Sequence, residues 1–194
     1  MEQTLDLKSL IAAQPVIHTR TIHLSTFPLD DAGVIVQGEL KDHRLRTIFD
    51  LAGRMIEPGV VHHMIIRVLV RDNPLRIVEA EAEMVKVPMD QCRQTLDVMD
   101  KVPGLEIKAG FSGRVKALLG GKQGCTHLSH LLMVMAQEIV HGWLTHDRRE
   151  KRPVPASLED VRERGFLLNS CRLWTENGSK MKELSDAITA FHGK

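Results

Sequence analysis

The sequence predicts an α+β fold, an antiparallel sheet from N-terminal strands packed against C-terminal helices, and three observations predict it. Up to about residue 86, apolar and polar residues alternate with a period of two, the mark of half-buried strands. After Val87-Pro88 the apolar spacing changes to three and four, that of helices. Strands come first and helices after, which separates this order from the alternating pattern of a parallel sheet. With 194 residues and 43% hydrophobic content the chain is long enough for one sizeable core. The expected organisation is a core at 15–147 and a helical extension at 148–194 folded back on it, a single domain overall.

Residues 1–14 read as a short helix or tail carrying Leu5, Leu7, Leu10 and Ile11. From 16 to 24, Val16, His18, Arg20, Ile22 and Leu24 alternate with Ile17, Thr19, Thr21 and His23, and a turn at 27–33 leads into a second strand at 34–40. The mixed stretch 41–59 ends in Glu57-Pro58-Gly59 and reads as irregular with some strand character. Residues 60–70 are rich in Val and Ile, and Arg71-Asp72-Asn73-Pro74-Leu75 turns the chain into a strand at 76–85. That strand is expected to set Val78, Ala80, Ala82 and Met84 on one face. Glu79, Glu81 and Glu83 then form a solvated face paired with Arg67 and Arg71.

Beyond Pro88, Cys92, Leu96 and Met99 mark a helix that stops before Pro103-Gly104. A short helix over 112–119 is closed by Gly120 as its C-cap. Thr126 is the expected N-cap of a long helix to about His146, with Leu131, Leu132, Met135, Ile139 and Trp143 as its buried stripe. A proline-containing linker at 148–156 precedes Ser157-Leu158-Glu159-Asp160, a capping box that opens a short helix to Arg164. An apolar segment at 166–174 contains Cys171, Glu176-Asn177-Gly178 is a turn, and a last amphipathic helix carries Met181, Leu184, Ile188 and Phe191.

Composition removes several classes of function. The 26 basic and 25 acidic side chains nearly balance and form no long like-charge run, so nothing argues for nucleic acid. No stretch approaches the roughly 18 to 20 apolar residues of a membrane span. The N-terminus has neither the basic start nor the apolar run of a signal peptide, and a cytoplasmic location is the expectation. Three cysteines, an odd number in a reducing compartment, argue against a disulfide framework. Gly120-Gly121-Lys122 lacks the spacing and the preceding strand of a phosphate-binding loop.

Chemistry concentrates around Gly124-Cys125-Thr126-His127-Leu128, where Cys125 sits just before a helix N-terminus whose partial positive charge favours the thiolate. Cys92 falls in the first turn after a strand, and Cys171 lies near the end of the chain. Thiolates and imidazoles favour zinc, iron or an iron–sulfur cluster. Cys92, Cys125 and His62 therefore form a candidate ligand set, with His127 and Cys171 in reserve. The opposing reading buries the cysteines as small hydrophobes. Of His62 and His63 only one can face inward, because consecutive strand residues point to opposite faces. Glu138 and His141 share a helix face but lack the second copy that a di-iron bundle needs, and they read as solvated.

Pro58-Gly59 before His62-His63-Met64, Val78-Glu79-Ala80, Pro88 with Cys92 after it, Gly110-Phe111, Gly120-Gly121, Gly124-Cys125-Thr126-His127-Leu128 and Asn169-Ser170-Cys171-Arg172 together resemble a bacterial family, domain of unknown function 2889, over about 18–178. The family pattern has an acidic residue after the strand-opening histidine, where this chain has His63. More distantly, the order of turn, two strands, cysteine and later cysteine before a long helix is similar to iron–sulfur scaffold and sulfur-acceptor proteins of the NifU and SufE type. That resemblance implies a NifU/SufE-like α+β fold and sets His62, Cys92 and Cys125 near three cluster-ligand positions, with histidine where cysteine is usual.

The leading expectation is therefore a metal- or cluster-binding accessory or scaffold protein that loses its metal when Cys92 or Cys125 becomes serine. A metal-free protein-interaction module with buried cysteines is one alternative. A small cysteine-dependent enzyme with Cys125 as nucleophile, served by His62 or His130, is another. A protein partner suits the first two readings, and the long and last helices could support a homodimer.

Overall fold

Alternation of β-branched and polar residues over more than ten positions makes long strands, and four of them form the sheet. The computed structural model describes residues 6–71, 74–163 and 168–193. Leu5, the turn residues Asp72 and Asn73, and Arg164 and Phe166 lie outside the described residues. Strands β1 (His18–Asp30) and β2 (Gly33–Arg44) form the first hairpin, longer at both strands than their apolar residues suggest. Their turn shrinks to Asp31 and Ala32, with Asp30 accepting from the Ala32 backbone N–H at 3.0 Å. Pro28 sits inside β1 because β1 is an edge strand, where the missing N–H costs no ladder bond.

The stretch that reads as irregular holds the end of β2 and a separate small hairpin, β3 (Ile48–Phe49) with β4 (Met55–Ile56). The second long hairpin is β5 (Gly59–Arg71) with β6 (Arg76–Lys86), and the sheet order is β1-β2-β5-β6, antiparallel throughout.

One face of the sheet is core: Val34, Val36 and Leu40 of β2, Met64, Ile66, Val68 and Val70 of β5, and Ile77 and Met84 of β6. Here the expected phase of β6 is corrected. A bulge between Leu69 and Val70 pairs them with Glu79 and Ile77, so Val78 is the extra residue and is exposed while Ile77 points inward. On the outer face Arg67 meets Gln37, Glu81 and Glu83, as the alternation implies. Arg71 pairs with Asp30 instead of the glutamates.

The helical segments between residues 90 and 147 cover the inner face. After a short α1 (Leu7–Ala12) capped by Asp6, the helical layer begins with a run of 3-10 turns, Asp90–Lys101, where the spacing predicts an ordinary helix. Then come α2 (Phe111–Leu119), closed by Gly120, and α3 (Thr126–Asp147). The N-cap of α3 is Cys125, one residue before the expected Thr126, and its side chain makes no cap bond. Helix α4 (Leu158–Glu163) is opened by the expected capping box, Ser157 and Asp160 bonding each other's backbone N–H, and α5 (Ser179–His192) buries Met181 and Ile188. No described helix is long and apolar enough to cross a membrane.

Helix α3 lies against β1, β2 and β5, burying Leu128, Leu131, Leu132, Met135 and Ile139 completely. Five such side chains contribute on the order of 10 kcal/mol before the entropy of ordering them is subtracted. Two glycines let the helix come this close. A Cβ on Gly38 would stand 2.7 Å from the Met135 sulfur, and one on Gly142 would stand 2.1 Å from Thr26 Oγ1. Gly142→Ala should therefore lower unfolding stability in a denaturant titration by about 1–3 kcal/mol, the usual cost of overpacking. Adding Thr26→Ala in the same chain should restore part of it. An unchanged midpoint for Gly142→Ala would contradict this packing.

Candidate metal centre

Strand register assembles the site. Pairing of β1 with β2 and of β2 with β5 sets Arg20 opposite Asp42 and Asp42 opposite His62, three polar residues in a row across the sheet. Asp42 continues the inward series Val34, Val36, Gly38, Leu40 at a period of two, so a carboxylate takes the next core position and is 1% exposed. A bulge directly after it, where His43 pairs with Val60, ends the regular ladder beside the site.

The buried charge is met on several sides. Arg20 donates from Nε to Asp42 Oδ1 at 2.6 Å and from Nη2 to Oδ2 at 2.7 Å, a two-pronged ion pair. The His62 Nδ1–H donates to Oδ2 at 2.9 Å. The Arg20 guanidinium holds the Asp42 carboxyl below the usual carboxylate range, with burial opposing and His62 assisting. The same pair raises the Arg20 pKa.

From the first turn of α3, His127 lays its ring on that of His62, centroids 3.8 Å apart and planes 30° apart. Its Nε2 stands 3.8 Å from Asp42 Oδ2. Burial pushes the His127 pKa down, and His62 and Arg20 push it the same way, with Asp42 opposing. A neutral imidazole is the form that binds metal.

The donor atoms of Asp42, His62 and His127 lie within 4.8 Å of one another. Ligands on a tetrahedral ion at 2.0–2.1 Å sit about 3.3 Å apart. The 3.8 Å from Asp42 Oδ2 to His127 Nε2 lies near that value, and with its Nδ1–H bonded to Oδ2, His62 would offer the other ring nitrogen, Nε2, to an ion.

Of the residues singled out from the sequence, His62 and His127 come together. Cys92 and Cys125 are half-buried and pack against the hydrophobic core, and Cys171 is exposed. Among the described residues no cysteine belongs to a group of this kind. Iron–sulfur clusters need thiolates, whereas one carboxylate and two imidazoles suit a single ion. His63 points to the outer face and bonds Glu39 at 2.6 Å, so the two adjacent histidines do divide between faces. Glu138, read as solvated, accepts from Thr26 Oγ1 at 2.7 Å. A cavity of about 590 Å³ opens on the outer face among Leu29, Ile35, Leu69, Val78 and Pro103, and the triad does not line it.

Sequence reasoning missed Asp42 and Arg20. The signal was parity: Arg20 is in phase with Ile22 and Leu24, and Asp42 with Val36 and Leu40.

A model of the family described as "Protein of unknown function (DUF2889)" matches residues 18–141, which include Arg20, Asp42, His62 and His127 and leave Asn169-Ser170-Cys171-Arg172 outside. No curated protein and no solved structure matches the chain, and the likeness to NifU- and SufE-type scaffolds stays a resemblance of sequence order.

His127 gives the site a pH signature. Its folded pKa lies below the ordinary value near 6.5, so the stability it contributes is complete above about pH 6.5 and is lost as pH falls below it. In chelator-treated protein, thermal melts should fall in midpoint from pH 7.5 to pH 5.5, and His127→Gln should fall less over the same window. Equal slopes for the two proteins would contradict the assignment.

Proposed function

We propose that this chain, which belongs to the DUF2889 family of proteins of unknown function, binds one divalent transition-metal ion through Asp42, His62 and His127. The observation that carries the reading is their convergence: a core carboxylate, a strand histidine and a helix histidine from three separate elements, with donor atoms within 4.8 Å. Zinc and iron(II) both accept two imidazoles and a carboxylate. Three protein ligands leave a coordination position open, as in sites where an ion engages water or a small ligand. Arg20 keeps Asp42 ionised and fixes the plane of its carboxylate, which orients the oxygen shared with both histidines.

Elemental analysis and metal titration test this directly. Protein purified without chelator, or refilled with zinc or iron(II), should hold about one ion per chain. His62→Ala and His127→Ala should each weaken binding by at least about tenfold, while Cys92→Ser and Cys125→Ser retain it. Loss of metal in the cysteine variants with retention in His127→Ala would return the ligand set to thiolates. A wild-type chain that takes up neither ion would end the reading.

A protein-contact module is favoured by a separate observation. The β3–β4 hairpin carries Phe49 at 68% exposure, Leu51 fully exposed and Met55 largely so. Its turn is locked by Asp50, which accepts from the backbone N–H groups of Ala52 and Arg54 and from Arg54 Nε. Clustered apolar residues on a rigid turn are the kind of patch that contacts another protein. Phe49→Ser with Leu51→Ser should leave the melting midpoint unchanged and abolish concentration-dependent self-association in sedimentation velocity. A wild type that stays monomeric at every concentration would remove a second copy as the partner.

A further inference from the structure

Resting on the metal reading, we infer that the open position takes a small oxyanion, a carboxylate or a phosphate, held jointly by the ion and by Arg20. The guanidinium has five N–H donors in a rigid fork. Two of them, on the Nε and Nη2 edge, go to Asp42, and among the described residues the guanidinium makes no other hydrogen bond. Three donors therefore remain on a side chain that is 39% exposed and is held in orientation by a carboxylate that is itself buried. Arginine presented in this way matches two oxygens of a carboxylate or phosphate at once.

Charge selects the same ligand class. Around His127 lie His62, Arg20, His130 and Asp42, and of these Arg20 and Asp42 carry the opposite full charges of a direct ion pair. Arg20 already balances Asp42, so a divalent ion on two neutral imidazoles would bring an excess of about two positive charges into a half-buried pocket. Uncompensated charge away from water is costly, and an anion that reaches both the ion and the guanidinium relieves it. The ion and the guanidinium would both contact the Asp42 carboxylate, and one oxyanion reaching both would bridge them.

Cobalt(II) in place of the native ion makes this visible, because its absorption bands change when a new ligand enters the coordination shell. Cobalt-loaded protein in a perchlorate medium is titrated separately with inorganic phosphate and with acetate. At least one should shift the spectrum saturably, and the arm that responds identifies the oxyanion class. Arg20→Gln, compared with wild type at cobalt concentrations that saturate each protein, should lose roughly ten- to hundredfold in anion affinity, the worth of a charge-assisted hydrogen-bonded pair. Arg20→Lys keeps a positive charge beside Asp42 without the fork. It should fall between the two, and it carries the comparison if Arg20→Gln misfolds by circular dichroism. A wild-type spectrum indifferent to both anions, or variants that bind them as tightly as wild type, would overturn the inference. Failure of the underlying metal reading shows earlier and separately, as no cobalt spectrum before any anion is added.

Discussion

Asp42 holds a charge at a position that the strand pattern reserves for hydrocarbon, between Leu40 on its own strand and the fully covered surface beneath α3. An ionised carboxylate there is tolerated only when charge and donors converge on it. They arrive from the flanking strands, Arg20 from one side and His62 from the other, while the His127 ring packs on His62 from the helix above. Removing one partner of a buried ion pair costs about 3–5 kcal/mol, less here because Arg20 is partly exposed and screened. The row across the sheet and the placing of the first turn of α3 both answer to this one demand.

The sheet separates two uses of the same residue types. On the outer face, His63 with Glu39 and Arg67 with Glu81 and Glu83 are partly exposed pairs. Such pairs contribute between nothing and about 1 kcal/mol each. On the inner face, Asp42 is buried, His62 nearly so, and the more exposed Arg20 reaches in to couple with them. His62 and His63 are neighbours in the chain, yet the strand's period of two puts one beside a buried carboxylate and the other in a surface pair.

That same period explains what was legible in the sequence. The Val and Ile runs of β5, the alternation in β6 from Glu79 onward, the capping box at Ser157 and the closing Gly120 of α2 are local signals, and each matched the structure. The family resemblance, carried by residues such as Gly124-Cys125-Thr126-His127-Leu128, was legible too. Lys41-Asp42-His43-Arg44 was harder to read, because four polar residues in succession carry no alternation of their own; only the parity carried on from Val36 and Leu40 marks Asp42 as inward, and the register against β1 and β5 agrees with it. The bulge at Val78 was hidden for a related reason: an inserted residue shifts phase without changing composition. Cysteine drew the search for ligands by its chemistry alone, and packing of Cys92 and Cys125 against the core is a property of the assembled layers that no local spacing encodes.

Helix α3 joins distant parts of this arrangement. Its first turn supplies His127, its middle is seated on Gly38 through Met135, Gly142 is pressed on Thr26, and His146 near its end bonds the Asp30 carbonyl at the β1–β2 turn. Twenty-two residues at 1.5 Å each make a strut of about 33 Å. Seated along its length, it transmits displacement better than it absorbs it. The site at the open end of the β1–β2 hairpin and the turn at its closed end are therefore spanned by one helix, which ties His127 and His146 to opposite ends of the same pair of strands.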